Sequence, residues 1–332
     1  MELYTKQGWL NAERILQEPE AFKFITGARG IGKTYGFLKY FLKNKIKFIL
    51  MRRLQDESEL QWDPVTSSLT PVCRDLGITW HTEKVSKKAK RIISDDGTEI
   101  CICLALSTFS GIRGIDLTSY DYVIYDEFIT EPHVRQLKME GLALSNAYET
   151  IARNREIQGA EPLQMICLSN SLNIANDVFM QFDLVTAAES LISAGREIYR
   201  EGNKLLIVCQ NSPISKKKAG SVLYTSASEE YAKMAIHNKF ILNDFTYVSK
   251  KKLNEYRCIW SVGSLYVYEH KGKDEYYITF TRGETGTRYG DNYMDLQRCQ
   301  RDKWKYWTMY LDGYIRFDSY KAIALFEKYF NK

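Results

Sequence analysis

The stretch Gly27-Ala28-Arg29-Gly30-Ile31-Gly32-Lys33-Thr34 satisfies the pattern G-x-x-x-x-G-K-[ST] at every fixed position and constrains the fold more than any other part of the chain. It follows a short apolar run, Phe22-Lys23-Phe24-Ile25-Thr26, and precedes Tyr35 to Leu42, whose apolar spacing predicts an amphipathic helix. The reading is therefore strand, glycine-rich turn, helix. In that setting the backbone N–H groups of Gly30, Ile31, Gly32 and Lys33 converge on a β-phosphate at a helix N-terminus, where unpaired donors and the helix dipole favour an anion. Gly27 and Arg29 complete the nucleotide cradle, Lys33 reaches the β- and γ-phosphates, and the Thr34 hydroxyl is placed for Mg²⁺. ATP and Mg²⁺ are the expected ligands.

A second block answers the first. Tyr122 to Tyr125 reads as a buried strand that delivers Asp126 and Glu127 at its carboxyl end. Asp126 suits a magnesium ligand acting through water, and Glu127 suits a general base for the attacking water. Two adjacent acids of this kind point to a hydrolysing, motor-type ATPase and an ASCE-type P-loop domain with a mainly parallel α/β sheet. A further strand, Leu163 to Leu168, ends in Ser169-Asn170; Asn170 is a sensor candidate or a polar turn residue.

Basic residues supply the remaining candidates. Ile46 to Met51 reads as a strand ending in Arg52-Arg53, which project toward the nucleotide edge, where one contacts phosphate or a neighbouring acid, or form a solvated strand end. Behind a helix expected from Glu140 to Ile151 lie Arg153 and Arg155. Arg153 is the candidate finger for a neighbouring subunit's γ-phosphate, Arg155 its rival, and a structural ion pair the plain alternative for each. Lys84, Lys87, Lys88, Lys90 and Arg91 crowd a strand–turn–strand expected from Trp80 to Leu106; they would grip a DNA backbone or simply form a solvated face. Tyr4 and Trp9 precede the phosphate loop, where aromatics pack on a base or serve as ordinary packing.

The chain's 332 residues suit two domains. Charge is close to balanced, 46 basic against 41 acidic residues, so a nucleic-acid partner has to be argued from local patches. The seven cysteines lack metal-ligand spacing and read as reduced, buried thiols of an intracellular protein. No run reaches membrane-spanning length and the N-terminus lacks signal-peptide order, so no membrane partner is expected. Strand–helix alternation stops near residue 195. The expected division is an ATPase domain over 1–195, a linker over 196–230 and a C-terminal domain over 231–332. The last contains a meander from Tyr256 to Phe280 and helices over Tyr293 to Tyr310 and Ser319 to Phe330, the second opening on Asp318 as a possible N-cap.

Taken together, FITGARGIGKT, the strand ending in MRR, YDEF at 125–128, RNRE at 153–156 and ICLSN at 166–170 resemble the genome-packaging ATPases of phi-29-type tailed phages, compact relatives of the large terminases. The likeness covers most of the first 170 residues. It implies a homo-oligomeric ring, usually of five subunits, docked on the capsid portal and driving double-stranded DNA inward at the expense of ATP. The expected setting is the host cytoplasm and, transiently, the portal vertex. It assigns Lys33 and Thr34 to the phosphate loop, Asp126 to magnesium, Glu127 to water activation and Arg153 to the neighbour's site, and places Arg113 as a second basic residue acting across the interface. It also implies a C-terminal α+β domain resembling a vestigial ribonuclease H-like nuclease. The strand Arg257 to Val262 carries no carboxylate, which argues against nuclease activity. Some relatives bind a packaging RNA, a partner the resemblance allows for here. Alternatives are another ring-forming ASCE translocase or helicase, a terminase with an active nuclease, and a nucleotide-gated scaffold.

Overall fold

The computed structural model describes residues 1–129, 137–170, 174–218, 221–222, 226 and 247–330. Two compact units divide it, one of Met1–Asn173 with Ser190–Phe240 and one of Ile174–Glu189 with Ile241–Lys332. In chain order the first unit opens with α1 (Ala12–Leu16), β1 (Phe22–Gly27), α2 (Lys33–Lys43), β2 (Phe48–Arg52), α3 (Gln55–Glu59) and α4 (Thr70–Leu76). It continues with β3 (Trp80–Lys84), β4 (Lys90–Ser94), β5 (Glu99–Ala105), β6 (Tyr122–Asp126), α5 (Glu140–Ala152) and β7 (Gln164–Ser169). The chain then visits the second unit through α6 (Asp177–Gln181), and α7 (Val185–Ser193) returns it to the first for β8 (Ile198–Glu201), β9 (Lys204–Cys209) and α8 (Pro213–Lys218).

These strands form one nine-stranded sheet in the order β3-β4-β5-β2-β6-β7-β1-β9-β8. The run from β5 to β9 is parallel, and β3, β4 and β8 add antiparallel edges. Strands buried on both faces must be apolar throughout, and Phe48 to Met51, Val123 to Tyr125 and Met165 to Leu168 are all fully buried. On α2, Phe37, Leu38, Phe41 and Leu42 form the buried stripe packed on that sheet. Each such side chain contributes about 1.5–3 kcal/mol on burial.

Two expectations are corrected here. Residues 198–209 are not a connector, because β9 pairs in parallel with β1 from Phe22↔Lys204 to Gly27↔Cys209 and supplies its second neighbour. The strand–helix rhythm breaks only because the chain passes through the second unit between β7 and β8. A boundary at 230/231 lies outside the described residues. Trp80 to Leu106 makes three strands rather than two, a Gly97 turn with φ +84° separating β4 from β5.

The second unit carries β10 (Tyr256–Val262), β11 (Leu265–His270), β12 (Tyr276–Thr279), β13 (Arg288–Tyr289), α9 (Tyr293–Leu311), β14 (Ile315–Phe317) and α10 (Tyr320–Phe330). Its sheet runs β13-β10-β11-β12-β14, with the expected antiparallel meander at its centre. The core is aromatic: Trp260 and Tyr306 lie 5.0 Å apart, and Phe326 and Phe330 lie 4.6 Å apart. Asp318 does not cap α10. It accepts from Thr279 Oγ1 at 2.5 Å and Phe280 N at 3.1 Å, and Ser319 Oγ accepts from Ala322 N instead. No helix among the described residues is long and apolar enough to cross a membrane.

Candidate nucleotide site

The phosphate loop begins where β1 ends. A side chain at Gly27 would put its Cβ 2.7 Å from Cβ of Cys209 on β9, so the strand pairing itself demands glycine there. Gly30 and Gly32 have φ of +69° and +89°, and Gly32 turns the chain into the first turn of α2. Ile31 is fully buried, and its carbonyl accepts from Leu10 N at 3.0 Å, which fastens the loop to the N-terminal segment. Trp9 lies against the same loop: a Cβ on Gly32 would sit 3.3 Å from its ring, and 45% of the residue remains exposed. Lys33 donates to the carbonyls of Gly27 and Ala28, 2.8 Å each. Burial brings its amine down to about 8.

At the carboxyl edge of β6, Asp126 faces the first turn of α2. The Thr34 hydroxyl stands 3.1 and 3.2 Å from its two carboxylate oxygens. Burial pushes the Asp126 carboxyl above the usual range, Arg52 draws it back, and Glu127 adds to the rise. Arg52, at the end of β2, spans both acids, with Nη1 at 2.9 Å from Asp126 Oδ2 and Nη2 at 2.6 Å from Glu127 Oε2. Burial opposes the Arg52 charge, but the two carboxylates outweigh it and hold the guanidinium protonated. Glu127 has φ +61°, a left-handed conformation that costs a non-glycine residue on the order of 1–2 kcal/mol. Asn170 Nδ2, at the end of β7, reaches Glu127 Oε1 at 3.4 Å. The Thr34 hydroxyl and the Asp126 carboxylate are hard oxygen donors placed side by side, a pair suited to Mg²⁺.

The family model for podovirus DNA encapsidation proteins (Gp16) matches residues 4–332. The chain belongs to that family. The DNA packaging protein of Bacillus phage PZA is 23% identical over 95% of this chain and 94% of its own length. Among solved structures, the Phi-28 gp11 DNA packaging motor matches with a TM-score of 0.68 at 17% identity, covering 99% of both chains. The bacteriophage Phi-29 viral genome packaging motor assembly matches at 0.67 and 22% identity, over 97% of this chain and 99% of that one. The fold of this Gp16-family chain is therefore that of phage packaging motors along its length.

The other candidates fall into two groups within the same unit. Arg53 is structural: buried, it meets Glu140 at the start of α5 through Nε at 2.9 Å and Nη2 at 2.9 Å, and Tyr125 donates to the same carboxylate. At the far end of α5, Arg155 donates to the carbonyls of Thr118 at 2.8 Å and Tyr120 at 3.1 Å and pairs with Asp121 at 3.2 Å. Arg153 caps α5 with φ +42°. Its side chain is 43% exposed and, among the described residues, holds only Arg113 O at 3.4 Å and Asp116 at 3.8 Å. Arg113 is exposed, so α5 brings the two expected interface arginines together.

The basic cluster divides as well. Lys84, Lys87 and Lys88 are exposed around the β3–β4 turn, whereas Lys90 lies 4.9 Å from the centre of the Trp62 ring and Arg91 is 3.6 Å from Glu99. Lys90 and Arg91 are thus engaged within the unit. Sequence reasoning missed Lys218, which donates to Arg29 O at 2.9 Å. Its only advance signal was the Lys216-Lys217-Lys218 run, assigned there to a connector.

Proposed function

We propose that this Gp16-family protein is the ATPase of a DNA-packaging motor and hydrolyses ATP to drive double-stranded DNA into a capsid. The observation that carries this is the Thr34–Asp126 contact at 3.1 Å beneath the phosphate loop, with Glu127 next in the chain. The strand order adds support: β7 stands between β1, which bears the loop, and β6, which bears the acids. An additional strand between those two, with a glutamate after the acid-bearing strand as Glu127 follows β6, is what the ASCE class is named for.

In this reading the amides of Gly30 to Lys33 bind the β-phosphate, and Lys33 exchanges its two carbonyl partners for phosphate oxygens. Thr34 and Asp126 would hold Mg²⁺, which neutralises phosphate charge when bound. Glu127 takes the proton of the attacking water, held by Arg52 on one oxygen and Asn170 on the other. Arg153, with Arg113 beside it, completes a neighbour's site in a homo-oligomeric ring, of five subunits by family likeness.

Such a ring docks on the capsid portal during assembly in the host cell and contacts DNA phosphates through Lys84, Lys87 and Lys88, so binding falls steeply with salt. A packaging RNA is a further partner that the same likeness allows. The mixed sheet and meander of the second unit support a ribonuclease H-like descent, and β10 offers no carboxylate for a nuclease metal. The proposed domains are thus an ATPase unit and a vestigial nuclease-like unit.

The test is Glu127→Gln. It should bind ATP as the parent does and lose about 10²- to 10⁴-fold in turnover, with DNA uptake into empty capsids lost in parallel. Turnover at the parent rate would overturn the assignment.

A further inference from the structure

Lys218 closes α8 and stands over the outer limb of the phosphate loop. Its Nζ donates to Arg29 O at 2.9 Å, and a Cβ built on Gly30 would lie 2.1 Å from the same nitrogen. Among the described residues it pairs with no carboxylate; a neutral carbonyl is its hydrogen-bond partner. The position is built rather than incidental. Ile214 anchors α8 in the unit, and Pro213 lies 2.9 Å from where Gly8 would carry a Cβ. Two residues on, Leu10 holds the loop at Ile31. One short N-terminal segment therefore positions both the loop and the helix that presents the lysine. Lys216 and Lys217 of the same helix are exposed.

We propose that Lys218 is a second phosphate-binding lysine of this site, a ligand of the terminal phosphoryl group of ATP supplied in cis. The proposal rests on the nucleotide reading above. Lys33 and Lys218 both now rest on loop carbonyls, Lys33 on Gly27 and Ala28 and Lys218 on Arg29. A charged phosphate oxygen is the stronger acceptor, so a triphosphate draws both away from those carbonyls. Lys33 approaches from the first turn of α2, and Lys218 from the opposite limb of the loop. They can hold different oxygens of one polyphosphate.

The experiment measures mant-ATP and mant-ADP binding by fluorescence for the full chain and for Lys218→Ala, Lys218→Arg and Lys33→Ala. Lys218→Ala should weaken ATP on the order of 10- to 100-fold and leave ADP close to the parent, and Lys218→Arg should restore most of the loss. Unchanged or tighter ATP binding by Lys218→Ala, with Lys33→Ala unable to bind, would overturn the proposal and leave the nucleotide site standing. An equal loss of ATP and ADP would overturn the assignment to the terminal phosphoryl group. Retention of both nucleotides by Lys33→Ala would remove the nucleotide reading itself, and the proposal with it.

Discussion

The two ends of the parallel sheet are built from similar residues and finished differently. At the carboxyl ends of β2 and β6, Arg52 bridges Asp126 and Glu127, and Thr34 leans on Asp126. Every charge there faces another within the same chain. At the other end, past about 20 Å of α5, Arg155 is tied to Thr118, Tyr120 and Asp121, while Arg153 beside it has, among the described residues, only long contacts and stays exposed. An arginine pinned by two carbonyls and a carboxylate is part of the scaffold. One held loosely next to it is free to meet a partner. The first end pairs its charges within one chain, and under the proposed function the second serves a neighbouring one.

The sharpest way to break this contrast is Arg153→Ala. Turnover by the assembled protein should fall by about 10³- to 10⁵-fold with nucleotide binding kept. Mixing Arg153→Ala with Lys33→Ala subunits should recover part of it, since each supplies what the other lacks, whereas Arg155→Ala should lose stability and gain nothing from mixing. Full activity of Arg153→Ala by itself, measured as phosphate release, would sink the contrast.

A smaller effect tests the scaffold that joins the ends. Arg53→Met leaves Glu140 buried without its guanidinium and should cost about 3–5 kcal/mol in urea denaturation. Replacing both residues by apolar ones should cost less. A loss near zero for Arg53→Met would show that α5 is positioned by other contacts.

The smallest effect is in proton binding. The Lys33 amine, at about 8 when folded, lies below its unfolded value. Between the two the unfolded chain carries the extra proton, so this group's contribution to stability rises as pH increases through that window. Bound phosphate favours the charged amine and reverses the shift. Calorimetry in buffers of different ionisation enthalpy at about pH 9 should therefore show proton uptake on ATP binding, up to about one proton, shrinking toward neutral pH. Absence of uptake would mean that Lys33 is already charged in the free site.

Much of the nucleotide end was legible because its parts are local. Gly30, Gly32, Lys33 and Thr34 act through one turn, and Asp126 and Glu127 end a strand whose burial is written in four consecutive residues. What escaped depends on partners far apart in the chain. The strand end at Arg52-Arg53 pointed to phosphate or a neighbouring acid but not to which arginine would span both Asp126 and Glu127, and Lys218 does not reveal that α8 returns to the loop. The apolar run Leu205 to Cys209 was visible, but its place beside β1 depends on a chain path that leaves the unit and comes back. Lys90 and Arg91 looked equivalent to Lys84 and Lys87 because a charge run does not disclose a ring or a carboxylate across the sheet.

The left-handed backbone at Glu127 sets mutational stability against chemistry. Asparagine or glycine would occupy that torsion more comfortably, and neither brings a carboxylate. Under the role proposed for Glu127, selection of random variants for heat resistance alone would thus drift toward inert proteins at this position, and the glutamate would survive only where turnover is also under selection.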